Sequence, residues 1–451
     1  MSRGILAALA AAVVVAAGLS LQAQEMGRRS DIVDLAIGDP ARKDRMVTVG
    51  VDRPIDTRTR TRPGPGTSTG TDAGDASSSG TELAASDVAE RLRNTRILLI
   101  GETHTSRESH RVQFQVIEAL HQAGRRVIIG LEMYPYTAQP ALDRWSRGAV
   151  GGPAAVSEEA FLKESQWYLH WGLHFGYYRD IFLFARDNGL RMVGVNAPRE
   201  VIAAVRKKGL RNLTPEEARQ LPADIDIDNA EHMTLFKAHF GGGDATHGGV
   251  GGTNESVLKD MLAAQTAWDA TMAAHAVKAW REAKDDKAIV VVLVGSGHVA
   301  YGLGIARQAR RSFDGEVSSV IPIEIARGEI AKGEIAKGEI AKGETMQVRA
   351  SYADIVWGVP QEPYLAYPSF GITPVTRSAD QLQQVVVVDS KSPAAQAGVM
   401  VGDIVIAIDG QPVTSRESFN RLSVTKNWGD SADVKLRRGS EEITVRLLLR
   451  R

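Results

Sequence analysis

The chain has 451 residues, enough for one substantial core and a second, smaller one. Lys plus Arg equal Asp plus Glu at 54 each, so no net field favours nucleic acid or an acidic membrane surface. Cysteine is absent, which excludes thiolate nucleophiles, zinc–cysteine centres and iron–sulfur clusters.

The first residues, "MSRGILAALAAAVVVAAGLSLQAQ", place one arginine before an apolar run of about 15 and a small-residue end, the pattern of a cleaved export signal over residues 1–24. That run is short for a spanning helix. With no cysteine to lipidate at the cleavage point, the expectation is a soluble protein of the periplasm or cell envelope and not a lipoprotein. Residues 25–82 read as a disordered tether, because "PIDTRTRTRPGPGTSTGTDAGDASSSG" at 54–80 has too few large apolar groups to offset its ordering entropy.

From 83 to 325 short apolar runs recur at 97–100, 127–131, 192–195, 289–294 and 321–325, none alternating, as in strands covered on both faces. Helical segments separate them: "SRESHRVQFQVIEALHQAG", "YYRDIFLFARDNG", "PREVIAAVRKKG" and the long "ESVLKDMLAAQTAWDATMAAHAVKAWREAKDD". Strands separated by helices imply crossovers. The predicted fold is therefore α/β, doubly wound, with a mostly parallel sheet and helices on both faces. Functional groups in such sheets gather where strands end.

Two strand ends share one shape. "RILLIGETH" at 96–104 stops at Gly101, taken as a sharp turn, and delivers Glu102 and His104; "IVVVLVGSGH" at 289–298 ends in two glycines and His298. "GLEMY" adds Glu132 and Tyr134, and "GVNAP" adds Asn196. Charges buried without partners are expensive, so two histidines and two carboxylates in equivalent places point to one shared site that pairs them or holds a metal or ligand. In "QWYLHWGLHFGYYRD" at 166–180, helical spacing puts Trp167, Trp171, His174 or Phe175, and Tyr178 on one face, and leaves His170 and His174 four apart, at chelating distance.

Residues 325–344 repeat a five-residue unit four times, as "IARGEIAKGEIAKGEIAKGE". Positions five apart turn by about 140° on a helix, so the isoleucines scatter around the axis and no core forms. Residues 326–364 are expected to be a linker to a separate C-terminal module at 365–451.

The strand-end motifs "GETH", "LEMY" and "GSGH" resemble the superfamily that joins ChaN-like haem-binding proteins, erythromycin esterases and Tiki-type metallopeptidases. Within it, "WGLHFGYYRDIFLFARDNGLRMVGVNAPR" and "AAQTAWDATMA" look most like ChaN-like haem-uptake proteins, over roughly residues 86–325. The resemblance implies haem as cofactor, with Tyr178 at the family's tyrosine position as iron ligand and Tyr177 behind it. His174, His104 and His298 are candidates for a second ligand or for propionate contacts, and Asn196 joins the cofactor-binding set. The competing reading is a hydrolase in which His104, Glu132 and His298 hold a divalent metal while Glu102 acts as general base, or in which His104 or His298 deprotonates water directly.

The stretch "SPAAQAGVMVGDIVIAIDGQPVTSRESFNRL" at 392–422 resembles a PDZ domain, a small β-sandwich or barrel module. That resemblance implies binding of a partner's C-terminus or exposed peptide by strand addition, with Phe370, Gly371 and Ile372 in the carboxylate loop and residues 415–422 as the groove helix. The expected whole is an envelope protein that holds or transfers haem and recruits a peptide partner, open to homodimerisation and without nucleic acid.

Overall fold

The apolar runs form strands with both faces buried: Ile97 and Leu99 enter one core layer, Leu98 and Ile100 the other. The protein is described by a computed structural model covering residues 32–59, 80–148, 156–240, 255–326, 345–377 and 380–451. The proposed export signal at 1–24 lies outside the described residues. Among them, no helix is long and apolar enough to cross a membrane.

The strands of the first domain are β1 (Met46–Gly50), β2 (Pro54–Asp56), β3 (Thr81–Glu82), β4 (Thr95–Glu102), β5 (Arg126–Pro135), β6 (Arg191–Asn196), β7 (Ala288–Gly295), β8 (Glu316–Ile325), β9 (Thr345–Arg349) and β10 (Ile355–Pro360). The main sheet runs β3-β2-β10-β8-β4-β7-β5-β6. From β10 to β6 every pairing is parallel, while β2 and β3 add antiparallel on the β10 edge. The chain winds outward from β4 to β5 and β6, then returns β7 between β4 and β5 and places β8 on the other side of β4. The winding direction therefore reverses at β4 and β7, and their C-terminal ends open a crevice.

Helices cover both faces. Arg107–Gln122, capped by the Ser106 hydroxyl, packs Val112, Val116, Ile117 and Leu120 on one side. The long helix Glu255–Ala283 lays Met272, Ala273, Ala276 and Val277 on the other. The aromatic segment is not one helix. A short helix, Trp167–His170, ends before Gly172, whose φ of +76° breaks it, and a 3-10 turn at Phe175–Tyr177 leads into the helix Arg179–Asp187. His170 and His174 thus lie on different elements, which removes the chelating spacing.

Two domain boundaries need correction. Part of the segment assigned to a tether is folded: β1 pairs with β9, and β2 pairs with β10 from Pro54↔Trp357 to Asp56↔Ile355. Composition hid these strands because three and five residues are too few to stand out beside the polar stretch that follows. The repeat, at 327–344 outside the described residues, does not join two domains; it connects β8 to β9 and β10, and β10 pairs in parallel with β8 from Ile355↔Val320 to Pro360↔Ile325.

The C-terminal domain is an antiparallel sheet of β11 (Ile372–Thr376), β12 (Gln383–Val388), β13 (Ile404–Ile408), β15 (Ser431–Arg438) and β16 (Glu441–Leu448), with β14 (Gln411–Pro412) paired to β13. Its own core gathers Phe370, Val385, Val405, Ile408, Phe419, Val434 and Leu436. The helix Arg416–Val424 opens with a capping box at Ser415 and Ser418.

Candidate functional site

Glu102 is the last residue of β4 and is 3 % exposed. Three groups hydrogen-bond it: His104 Nδ1 lies 2.8 Å from Oε1, Gln113 donates Nε2 to Oε2 at 2.6 Å, and the Tyr178 hydroxyl donates to Oε1. His110, whose Nδ1 is bonded to Gln113 Oε1 at 3.0 Å, stands 3.6 Å from Oε2. Burial alone would raise the carboxyl's pKa, but the His110 charge and the hydrogen bonds from His104 and Tyr178 hold it down at about 2. A carboxylate so saturated has no proton affinity near neutrality, so Glu102 is not placed to serve as a general base. It instead fixes the His104 ring: with Nδ1–H given to the carboxylate, Nε2 carries the lone pair, the arrangement that orients ligating histidines and raises their basicity.

The β7 end uses the opposite logic. His298 sits between two carboxylates, with Nδ1 2.6 Å from Asp269 Oδ1 and Nε2 3.4 Å from Glu132 Oε1. Burial would lower its pKa, yet Asp269 and Glu132 raise it to about 10. The two carboxylates hold His298 in its protonated form, with one of them facing each ring nitrogen. Among the described residues no group of three or more His, Asp or Glu is arranged to hold a metal ion. Of the alternative metal set His104, Glu132 and His298, the last two pair with each other here, and Glu132 Oε2 also accepts the Gly295 amide at 2.7 Å.

These two clusters meet. A Cβ on Gly295 would lie 3.0 Å from His104 Cε1 and 3.7 Å from Glu132 Oε2, so the glycine makes room for the ring. Gly101, expected to turn the chain, instead lies within β4; a Cβ there would come 2.9 Å from Ser296 Oγ, so it serves the close approach of the two strand ends. Glu102, His104, Glu132, Asn196 and His298 all line one cavity of about 470 Å³, within the roughly 300–1,000 Å³ of cofactor pockets. Met133, Trp171, Leu173, Ile202, Phe236 and Trp268 supply its apolar wall.

Three sequence candidates lie elsewhere. Tyr178 is fully buried and does not line the cavity; its hydroxyl donates to Glu102 and accepts from Trp171 Nε1 at 3.1 Å. Burial and the Glu102 charge push its pKa well above the ordinary value, so it stays a phenol. In this structure its hydroxyl holds Glu102. Tyr177 is also buried and outside the cavity. His174 stacks on Tyr367 with ring centroids 3.5 Å apart and takes the Gly176 amide on Nδ1. Spacing alone could not distinguish residues that face the cavity from those one layer behind it.

Sequence reasoning missed Asp269 and Gln265 on the long helix, His232 and His239 on the helix Ala230–Phe240, and Arg199, Arg206 and Arg416 on the cavity wall. For Asp269 a signal existed: an acidic residue inside the apolar run "AAQTAWDATMAAHAV" is costly unless paired. In the C-terminal domain, Phe370 and Gly371 are buried, Ile372 is half-buried, and the Gly371 amide donates to Ser369 Oγ at 3.1 Å beside the edge strand β11.

Residues 88–308 match the family described as "Haem-binding uptake, Tiki superfamily, ChaN", and residues 368–449 match the PDZ domain. The first domain thus belongs to the ChaN-like haem-binding family, and the second is a PDZ domain. Among solved structures, the cofacially haem-binding ChaN of Campylobacter jejuni aligns over 67% of this chain and 95% of that one, at 16% identity and a TM-score of 0.44. The HtrA3 PDZ domain bound to a phage-derived ligand aligns over 18% of this chain and 82% of that one, at 18% identity and a TM-score of 0.16. A curated relative, the chloroplastic protein RETICULATA-RELATED 5 of Arabidopsis thaliana, is 23% identical over 155 residues, 32% of this chain. The match spans only 20% of that relative's length.

Proposed function

We propose that the first domain holds haem in the cavity at the C-terminal ends of β4 and β7, with His104 as an axial ligand, and that the PDZ domain recruits a protein partner through a C-terminal or exposed peptide. The cell envelope is the proposed location and transfer of haem to or from that partner the proposed role. One observation carries the reading: a cavity-lining imidazole whose Nδ1 is held by a buried, permanently ionised carboxylate.

The residues present fit the group. A porphyrin needs an apolar slot, an axial donor and cations for its propionates. Trp171 and Trp268 flank the cavity, His104 offers Nε2, and arginines stand on the wall. His239 is a second neutral imidazole there, its pKa pushed down to about 4 by burial and by the positive charge of His298. His104 would hold the iron through Nε2, and the chain's own task is to orient that ring and exclude water from it.

Hemin titrated into the full chain is expected to give a saturable Soret band. His104→Ala should weaken it by more than about a hundredfold, beyond the ten- to hundredfold typical of outer-shell partners. Tyr178→Phe should leave the band position unchanged. Saturable binding that survives His104→Ala but shifts in Tyr178→Phe would return the ligand to the tyrosine, and no saturable band at all would end the haem reading.

A further inference from the structure

Three guanidinium groups border the cavity, and they come from two domains. Arg199 and Arg206 lie on the helix Arg199–Lys208 of the first domain; Arg416 is the first residue of the helix Arg416–Val424 in the PDZ domain. Guanidinium groups this enclosed are ordinarily matched by carboxylates or phosphates, because removing them from water is expensive. Among the described residues the matching anions are missing. Arg199 donates Nη1 to the Leu169 carbonyl at 2.9 Å, and the charge that favours its cation is that of its chain neighbour Glu200. Among the described residues neither Arg206 nor Arg416 has a carboxylate partner, and Arg416 Nε is buried with no hydrogen bond. Burial, followed by the Arg199 charge, pushes the Arg416 pKa down to about 10. Two like charges held together with no carboxylate partner among the described residues call for an external anion.

The placement of Arg416 is built into the domain contact. Asn420, one turn further along the same helix, donates Nδ2 to the Tyr168 carbonyl at 2.7 Å. A Cβ on Gly172 would come 2.7 Å from that nitrogen, and φ of +76° there favours glycine in any case. On the linker side His174 stacks on Tyr367, and Trp428 Nε1 donates to the Leu365 carbonyl at 2.7 Å. The short helix Trp167–His170 that the PDZ domain touches leads directly into cavity-lining Trp171.

We infer that Arg199, Arg206 and Arg416 form one carboxylate-binding subsite shared by the two domains, which receives the propionates of the porphyrin and makes the PDZ domain part of the cavity wall. This rests on the haem reading above. Guanidinium–carboxylate pairs are directional and often bidentate, so the subsite also sets which edge of the macrocycle enters and leaves the opposite edge for the histidine side.

The test compares hemin with its dimethyl ester, and metal-free protoporphyrin IX with both, in the full chain, read by the Soret band and by quenching of tryptophan emission. Hemin is expected to bind about tenfold or more tighter than the ester, the effect of a charge-assisted hydrogen bond in a desolvated site. Arg416→Gln should erase most of that difference by weakening hemin and protoporphyrin IX while sparing the ester, and Arg416→Lys should fall between. Undocking of the PDZ domain would weaken acid and ester alike, so equal losses overturn the subsite and leave Arg416 a purely structural residue. Equal affinities of acid and ester in the unaltered protein overturn it too, with the haem reading intact. Failure of every porphyrin to bind removes both.

Discussion

The two strand ends that look alike in sequence are electrostatic opposites. At the end of β4 one carboxylate, Glu102, collects His104, His110, Gln113 and Tyr178 around itself; at the end of β7 one imidazole, His298, is shared by Asp269 and Glu132. The first cluster fixes a negative charge and spends it on orienting a ring that lines the cavity. The second fixes a positive charge and spends it on neutralising two acids. A histidine after a strand therefore says little by itself, because its role follows from whether it outnumbers or is outnumbered by carboxylates.

The largest expected effect comes from erasing the β4 charge. Glu102→Gln leaves several buried donors facing an amide, so unfolding free energy should fall by about 3–5 kcal/mol, the range for breaking buried ionic clusters. Hemin affinity should drop by about ten- to a hundredfold as the His104 ring loses its partner. Denaturant titration and Soret titration check the two parts; an unchanged pair of values would mean that Glu102 does not organise the site.

Asp269→Asn probes the other end. It leaves His298 with Glu132 alone and should lower stability by about 3 kcal/mol while moving hemin affinity much less than Glu102→Gln does. Comparable losses of affinity in both variants would erase the distinction between the clusters.

The same contrast has a pH signature. His298 is raised from 6.5 to about 10 in the fold, so its contribution is complete below pH 6.5 and is lost as pH rises through about 10. Thermal stability followed from pH 6.5 to 10 should decline by a few kcal/mol, and His298→Gln should flatten that slope. A slope equally steep in the variant would assign the titration elsewhere.

Tyr178→Phe removes one of three hydrogen-bond partners of the Glu102 carboxylate and should cost about 1–2 kcal/mol in denaturant unfolding. The smallest effect is expected at the domain contact. Gly172→Ala forces a Cβ into a left-handed backbone and toward Asn420, at about 1 kcal/mol or more. Limited proteolysis between the domains should accelerate in that variant while the isolated folds remain intact.

Much of this was legible in residues alone. The five apolar runs became β4, β5, β6, β7 and β8, because a strand buried on both faces must be apolar at every position and cannot hide that signal. Parallel crossovers follow from the intervening helices, and the gathering of Glu102, His104, Glu132, Asn196 and His298 at one edge follows from parallelism. The short strands β1, β2, β9 and β10 were not legible: they flank polar or repetitive sequence, and their partners lie up to three hundred residues away.

What the amino-acid order settled was the kind of fold and the layer in which polar groups collect, since both depend on local patterns of apolar and turn residues, while the PDZ module was recognised by the resemblance of residues 392–422. Only the tertiary structure decided that Tyr178 stands behind the cavity and His104 in its wall, that Asp269 turns His298 into a cation, and that Arg416 crosses from one domain to the other. Those outcomes depend on distances of a few ångströms between residues remote in sequence, and charge interactions in a buried setting change sign of consequence over that range.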